Sequence, residues 1–214
     1  MSKKLLLIGG GGHCKTVIEA AETMNLYDEI EIVDIPAKIG ENILGYRVSK
    51  SDDDLLALKS SGFGDAFISL GSMGNPIKRV QIYQNLKNIG FNIPIIKHTS
   101  AEISSYATIK EGTLIGKNVI INADTKLGVC AILNTGCIIE HDCSVGNFSH
   151  IAPSSVLSGN VTIGEDTHIG ANTVIRQGIK IGSRSIIGIG SVVVQNIEDS
   201  CLAYGNPCRK VGCL

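Results

Sequence analysis

Hydrophobic positions divide the chain into two regimes. Up to about Lys97, short apolar runs alternate with stretches of helical spacing. Lys4–Ile8 is a brief apolar run that predicts a buried parallel strand. Residues 9–12 form a glycine loop. The next stretch, 13–25, places Val17, Ile18, Ala21 and Met24 on one helical face. Residues 29–34, 65–70 and 92–97 predict further strands. Residues 52–60 predict a short helix whose acidic first turn suits the helix dipole. Asn75 is the expected N-cap, and Pro76 the first helical position, of a helix running to about Asn88. Strands separated by helices imply βαβ units and a small parallel sheet.

From residue 98 onward a different rule takes over. An aliphatic residue recurs every six positions from Ile103 through Ile109, Ile115 and onward to Val193, sixteen times without a break. Four residues after it comes Ala, Ser, Thr, Val or Cys, with Ile179 and Ile197 as the exceptions. Gly follows the aliphatic directly at 116, 128, 146, 164, 170, 182 and 188. Neither an α-helix nor a simple hairpin has a period of six, whereas a three-sided coil does. Each hexad makes one side, a short strand and then a corner at which Gly or Asn can take positive φ. The aliphatic and the small residue point inward. Three hexads close a coil of about 18 residues. Ile103, Ile121, Ile139, Leu157 and Ile175 then stack as one interior ladder. Each coil pairs with the next, so only the two ends need caps.

Composition narrows the function. A net charge of -1, no Trp and 4% aromatic residues argue against a nucleic-acid field or a base-stacking platform. The seven cysteines (14, 130, 137, 143, 201, 208 and 213) are odd in number and include no C-x-x-C pair. That pattern points to a reducing compartment. The apolar run near the start stops at the glycine cluster, too short for a signal peptide, and no stretch approaches membrane-spanning length. A cytoplasmic protein is the expectation.

The hexads resemble those of the hexapeptide-repeat acyltransferases. The whole chain is similar to sugar O/N-acyltransferases of the sialic acid O-acetyltransferase and bacillosamine N-acetyltransferase type. The resemblance implies that residues 1–97 form a Rossmann-like α/β domain for a nucleotide sugar. It implies that 98–214 form a left-handed parallel β-helix, an acyltransferase domain with a C-terminal tail. Handedness comes from the resemblance. So do acetyl-CoA as co-substrate without a metal, and a homotrimer with sites between subunits.

The hexad Ile139-Glu140-His141-Asp142-Cys143-Ser144 carries the candidate chemistry. Acetyl transfer to an amine or hydroxyl needs a base for the nucleophile's proton, and imidazole titrates near working pH. A neighbouring carboxylate favours the imidazolium and strengthens the base. The resemblance implies His141 as general base and Asp142 as the group raising its basicity; Glu is common at that second place. It also implies that His150 holds acetyl-CoA near the thioester, with Ala171 and Ile189 as backbone contacts to the cofactor. The tail from Gly205 to Val211 is similar to the family's closing motif, with Cys208 in place of the usual Ala. Arg209 and Lys210 are candidates for coenzyme A phosphates. Stacking arithmetic puts a backbone N–H near Gly159 or Asn160 one coil beyond His141, as a donor to the thioester oxygen. His168, 18 residues after His150, should stack beside it. Cys137 and Cys143 occupy small inward positions and read as packed thiols.

In the first half, a glycine loop after a strand and before a helix lets phosphate approach backbone N–H groups. Asp34, about 22 residues beyond it, sits where dinucleotide folds keep a ribose-binding acid. The G-x-G-x-x-G fingerprint is incomplete. By the resemblance, Gly11, Gly12, His13, Asp34 and Gly71 contact a nucleotide-activated sugar. The favoured expectation is N-acetylation of a nucleotide-linked 4-amino-4,6-dideoxy sugar for surface glycan or glycoprotein synthesis. O-acetylation of a sialic-acid-like sugar is the alternative within the class. A non-catalytic β-helix scaffold is the alternative outside it.

Overall fold

A computed structural model describes residues 3–214. The chain forms two compact units. One comprises residues up to Gly71 with Ile77–Thr99, the other Ser72–Pro76 with Ser100–Leu214.

The first unit is a sheet of β1 (Lys4–Ile8), β2 (Glu29–Val33), β3 (Asn42–Ile43), β4 (Tyr46–Lys50) and β5 (Asp65–Ile68), in the order β3-β4-β2-β1-β5. The β4-β2-β1-β5 pairings are parallel and β3 is antiparallel to β4. Central strand β1 runs Leu-Leu-Leu through residues that are wholly buried, as a strand covered on both faces requires. The helices are α1 (Gly12–Met24), α2 (Leu55–Ser60) and α3 (Ile77–Ile89).

Two departures from the sequence reading have local causes. The β3–β4 hairpin carries no usual turn signature, because Leu44 at φ 52° occupies a turn position that Asn or Asp usually announces. The strand expected over 92–97 shrinks to Ile96–Lys97 plus a single bridge from Asn92 to Asp65. Pro94 sits between them and has no N–H to contribute to a ladder.

The second unit is a left-handed parallel β-helix. Every hexad contributes a two-residue strand, and each up to Val174–Ile175 pairs in parallel with the strand 18 residues on, as Ile120–Ile121 does with Ile138–Ile139. Many of the inward small residues are Thr or Ser for a reason. Their side chains donate to a carbonyl of the next coil, as Thr125 does to Glu140, Ser149 to Gly164, Ser155 to Gly170 and Thr167 to Gly182, at 2.7–3.1 Å. These buried hydroxyls are thereby satisfied.

Positive φ does not fall on the glycines that follow the aliphatics. It falls two residues later, at Asn118, Asp124, Asp142, Asn160, Asp166 and Asn172, and also at Cys130, Phe148 and Arg184. The glycines after the aliphatics serve close approach instead. A Cβ on Gly146 or Gly164 would lie 2.4–2.5 Å from backbone atoms of the next coil. The coil ends in a hairpin of Cys201–Gly205, parallel to Ile186–Ile187, and antiparallel Cys208–Cys213.

Three flat faces result. Outward residues of the first are Glu102, Ile120, Ile138, Val156, Val174 and Val192. Those of the second are Thr108, Lys126, Ser144, Thr162 and Lys180. Those of the third are Leu114, Ile132, His150, His168 and Ile186. Among the described residues, no helix is long and apolar enough to cross a membrane.

Candidate active site

His141 and Asp142 stand on the vertex between the first and second faces, just after the strand Ile138–Ile139. Left-handed backbone at Asp142 (φ 61°) turns the chain there. Asp is among the residues that tolerate that conformation best. Both side chains are more than half exposed, and Nδ1 of His141 lies 2.7 Å from Oδ2 of Asp142. A carboxylate only accepts, so in the neutral imidazole Nδ1 carries the proton and Nε2 the lone pair. The hydrogen bond to Asp142, helped by the charges of Asp142 and Glu140, raises His141 above the ordinary imidazole value. Glu140 is itself held by Asn122, 18 residues earlier, at 3.0 Å.

One coil further along this vertex lie Gly159 and Asn160. The Asn160 N–H donates to the His141 carbonyl at 2.9 Å and is therefore spent on the coil-to-coil ladder. Gly159 N–H makes no such bond among the described residues, so of the two expected donors only Gly159 remains.

His150 and His168 stack on the third face, as strand partners with ring centroids 4.9 Å apart at 66°. His150 is buried. Its Nδ1 donates to the Ser72 carbonyl at 2.6 Å, and Nδ2 of Asn134 lies 3.3 Å from its Nε2. A coenzyme contact through Nε2 has to replace Asn134. Burial lowers the His168 pKa. Among the described residues no cluster of three or more His, Cys, Asp or Glu could hold a metal ion. Ala171 and Ile189 stack on the vertex between the third and first faces, and Ile189 is 80% exposed. Arg209 and Lys210 lie exposed on the last strand, where Lys210 reaches Glu198 at 3.4 Å. Cys137 and Cys143 are buried; burial pushes the Cys137 thiol up to about 12.

One consequence of triangular geometry is that the vertex bearing His141 lies opposite the third face, which bears His150. A single chain therefore separates these two residues, and it separates His141 from Ala171 and Ile189 by the width of the first face.

The first unit gathers its candidates at the C-terminal ends of β1, β2 and β5. The N-cap of α1 is Gly11, without a side-chain cap, and a Cβ at Gly11 or Gly12 would meet nothing within 4 Å. The first turn of α1 thus offers backbone N–H groups to an open space. Asp34 closes the loop from behind. Its Oδ2 accepts from Gly10 N–H (2.6 Å) and Lys38 Nζ (3.0 Å), and its Oδ1 from Ile35 N–H (2.7 Å). Burial alone would raise Asp34, but these bonds hold it below its usual value. His13 rests against Gly71, 3.4 Å from where a Cβ would be. Burial, with Arg79 nearby, brings His13 down to about 4, so it is neutral.

Sequence reasoning missed Lys38, the buried Arg79 and Ser69, whose hydroxyl donates to the Gly9 carbonyl at 2.6 Å. It also missed a cavity of about 250 Å³ floored by Ile8 and Leu55 and edged by Asp52, Lys78, Gln81 and Asn85. None of these belongs to a short motif.

Comparison with known proteins matches this architecture along the chain. The PglD N-terminal domain family model matches residues 4–86, and the bacterial transferase hexapeptide model matches residues 160–195. The H141A variant of GDP-perosamine N-acetyl transferase from Caulobacter crescentus, solved with CoA and GDP-perosamine, is 34% identical. That comparison covers 98% of this chain and 97% of that one, with a TM-score of 0.92. The chain belongs to the PglD-like sugar acetyltransferases. The acetyltransferase domain of PglB from Neisseria gonorrhoeae, solved with acetyl coenzyme A, is 33% identical over 99% of this chain and 100% of that one, with a TM-score of 0.90. WeeI from Acinetobacter baumannii, at 22% identity over 98% of this chain and all of that one, shares the fold with a TM-score of 0.85. As a PglD-like acetyltransferase, the chain is an enzyme, an acyltransferase whose co-substrate is acetyl-CoA.

Proposed function

We propose that this PglD-like enzyme N-acetylates a nucleotide-linked 4-amino-4,6-dideoxy sugar, with His141 as general base and direct attack of the sugar amine on the thioester. The observation carrying this reading is the His141–Asp142 pair at 2.7 Å on an exposed vertex, with Nε2 left as a lone-pair donor. The amine nitrogen attacks the thioester carbon while Nε2 takes one of its protons. The negative charge on the carbonyl oxygen is met by Gly159 N–H. Collapse of the tetrahedral intermediate forms the amide and expels the coenzyme A thiolate, which takes its proton from the imidazolium. Asp142 stabilises that imidazolium throughout.

The first unit supports a nucleotide sugar as acceptor. Its open helix N-terminus suits a diphosphate. Gly11, Gly12, His13, Asp34 and Gly71 surround that place, and the cavity beside Ile8 has the apolar floor and polar edge that suit a base. That the Caulobacter neighbour was solved with GDP-perosamine favours this acceptor class.

A homotrimer is part of this reading, and the flat first face of the β-helix supports it. The first face presents a column of aliphatics, with Ile120 at 36% and Val174 at 44% exposure. Three copies turning this face to a common axis bring the His141 vertex of one beside the Ala171–Ile189 vertex of the next. Acetyl-CoA would then lie between copies, against Ala171, Ile189 and His150 of one chain, with its phosphates near Arg209 and Lys210.

The acceptor is tested by incubating the protein with acetyl-CoA and either nucleotide-linked 4-amino sugars or free sialic-acid-like sugars. Mass spectrometry then detects the added acetyl group. An amide product on the nucleotide sugar is expected. An ester on the free sugar alone would replace this reading with O-acetylation, and product with neither would assign the enzyme an acceptor of another class.

A further inference from the structure

We propose that Gly159 is a positioning residue for His141, acting through the side chain it lacks. The inference rests on His141 being the base.

Residues 18 apart stack along the vertex as Ala123, His141, Gly159 and Gln177. A Cβ built on Gly159 would sit 2.6 Å from Cε1 of His141, 2.7 Å from Nε2 and 3.3 Å from Nδ1. Those are its three nearest atoms, and Cβ contacts under 3.0 Å essentially do not occur. The imidazole therefore lies flat on the Gly159 backbone. Asp142 tethers Nδ1 at one side, and the bare backbone of the next coil supports the edge carrying Nε2. Together they favour the place the ring occupies, and a Cβ at 159 would push this exposed, movable ring aside.

Neither usual reason for glycine applies at 159. Its φ is outside the left-handed region, unlike Gly136, Gly178 and Gly190 on other turns. Its crowding is also unlike that of Gly146 and Gly164, which approach the backbone of the next coil. The three atoms nearest to a side chain there all belong to the imidazole. An alanine at 159 fits the backbone and keeps the N–H assigned to the thioester oxygen, yet it displaces the ring. Positioning is thus separable from oxyanion stabilisation. Small displacements of a reacting group are costly, because a shift of about 1 Å can lose on the order of 10²-fold in rate.

The test is Gly159→Ala. Turnover should fall about 10- to 100-fold, with KM for acetyl-CoA and acceptor changed by less than about 2-fold. The His141 imidazole titration, followed by NMR of its Cε1–H, should move down toward the ordinary value as the Asp142 contact is disturbed. In the wild-type protein an NOE between that proton and the Gly159 α-protons is expected, a readout that needs no variant to fold. Absence of the NOE, or an unmoved titration whatever the turnover, overturns the positioning role. His141→Ala with full turnover is a distinct outcome, which would sink the general-base reading instead.

Discussion

Replacing His141 with asparagine should lower turnover by about 10²- to 10⁴-fold, the range that a positioned general base supplies. Asparagine keeps a polar group of similar reach but has no nitrogen that can take a proton near neutrality. The amine must then shed its proton to water as it attacks. Binding of acetyl-CoA should be nearly unchanged. His141 is more than half exposed on its vertex, and the coenzyme contacts assigned to this chain lie on another vertex and on the third face. Steady-state kinetics and calorimetric titration with coenzyme A separate the two effects. A variant with wild-type turnover would leave the vertex without a catalytic role.

The second large effect involves no polar side chain of the site. Val156→Asp with Val174→Asp places two carboxylates 18 residues apart on the aliphatic face, where they stack and repel. Burying an unpaired charge in an interface costs several kcal/mol, so the proposed trimer should dissociate. Light scattering should report a single chain, and turnover should fall at least about 10²-fold, because the His141 vertex no longer meets a neighbour. Circular dichroism should be unchanged, since both positions face outward and the interior ladder is intact. Mixing two inactive chains provides a control. One carries His141→Ala and the other Ala171→Trp, and exchange of subunits should restore part of the activity. A monomeric variant with full turnover would show the site to be complete in one chain.

Much of the fold was legible in the sequence because the hexad rule is local and unbroken. Ile139 must point inward, Cys143 must be small, and the residues between must turn the corner outward. Those constraints alone put His141 on a vertex. The 18-residue stack also places His168 beside His150. The aliphatic face was equally legible, since Ile120, Ile138, Val156, Val174 and Val192 recur at the same spacing. Each of these residues taken alone looks like an ordinary strand position, and only the spacing joins them.

Other features depend on neighbours that no spacing rule reveals. Asn134 and the Ser72 carbonyl claim the two nitrogens of His150, and Ser72 lies 78 residues away in sequence. The bonds that Asp34 makes to Gly10, Ile35 and Lys38 are likewise announced by no spacing rule. A carboxylate behind a glycine loop looks the same in sequence whether it meets ligand or backbone.

The most direct measurement is the pH dependence of kcat/KM for the acceptor amine in the wild type and in Asp142→Asn. An imidazole base works only when neutral, so the rate must fall as pH drops through the His141 pKa. The Asp142 hydrogen bond raises that pKa, which puts the wild-type acid limb above the ordinary imidazole value of about 6.5. Asp142→Asn should move the limb to lower pH and lower the plateau. A limb at the same pH in both proteins would belong to the substrate amine, and the paired imidazole and carboxylate would not be the base of this reaction.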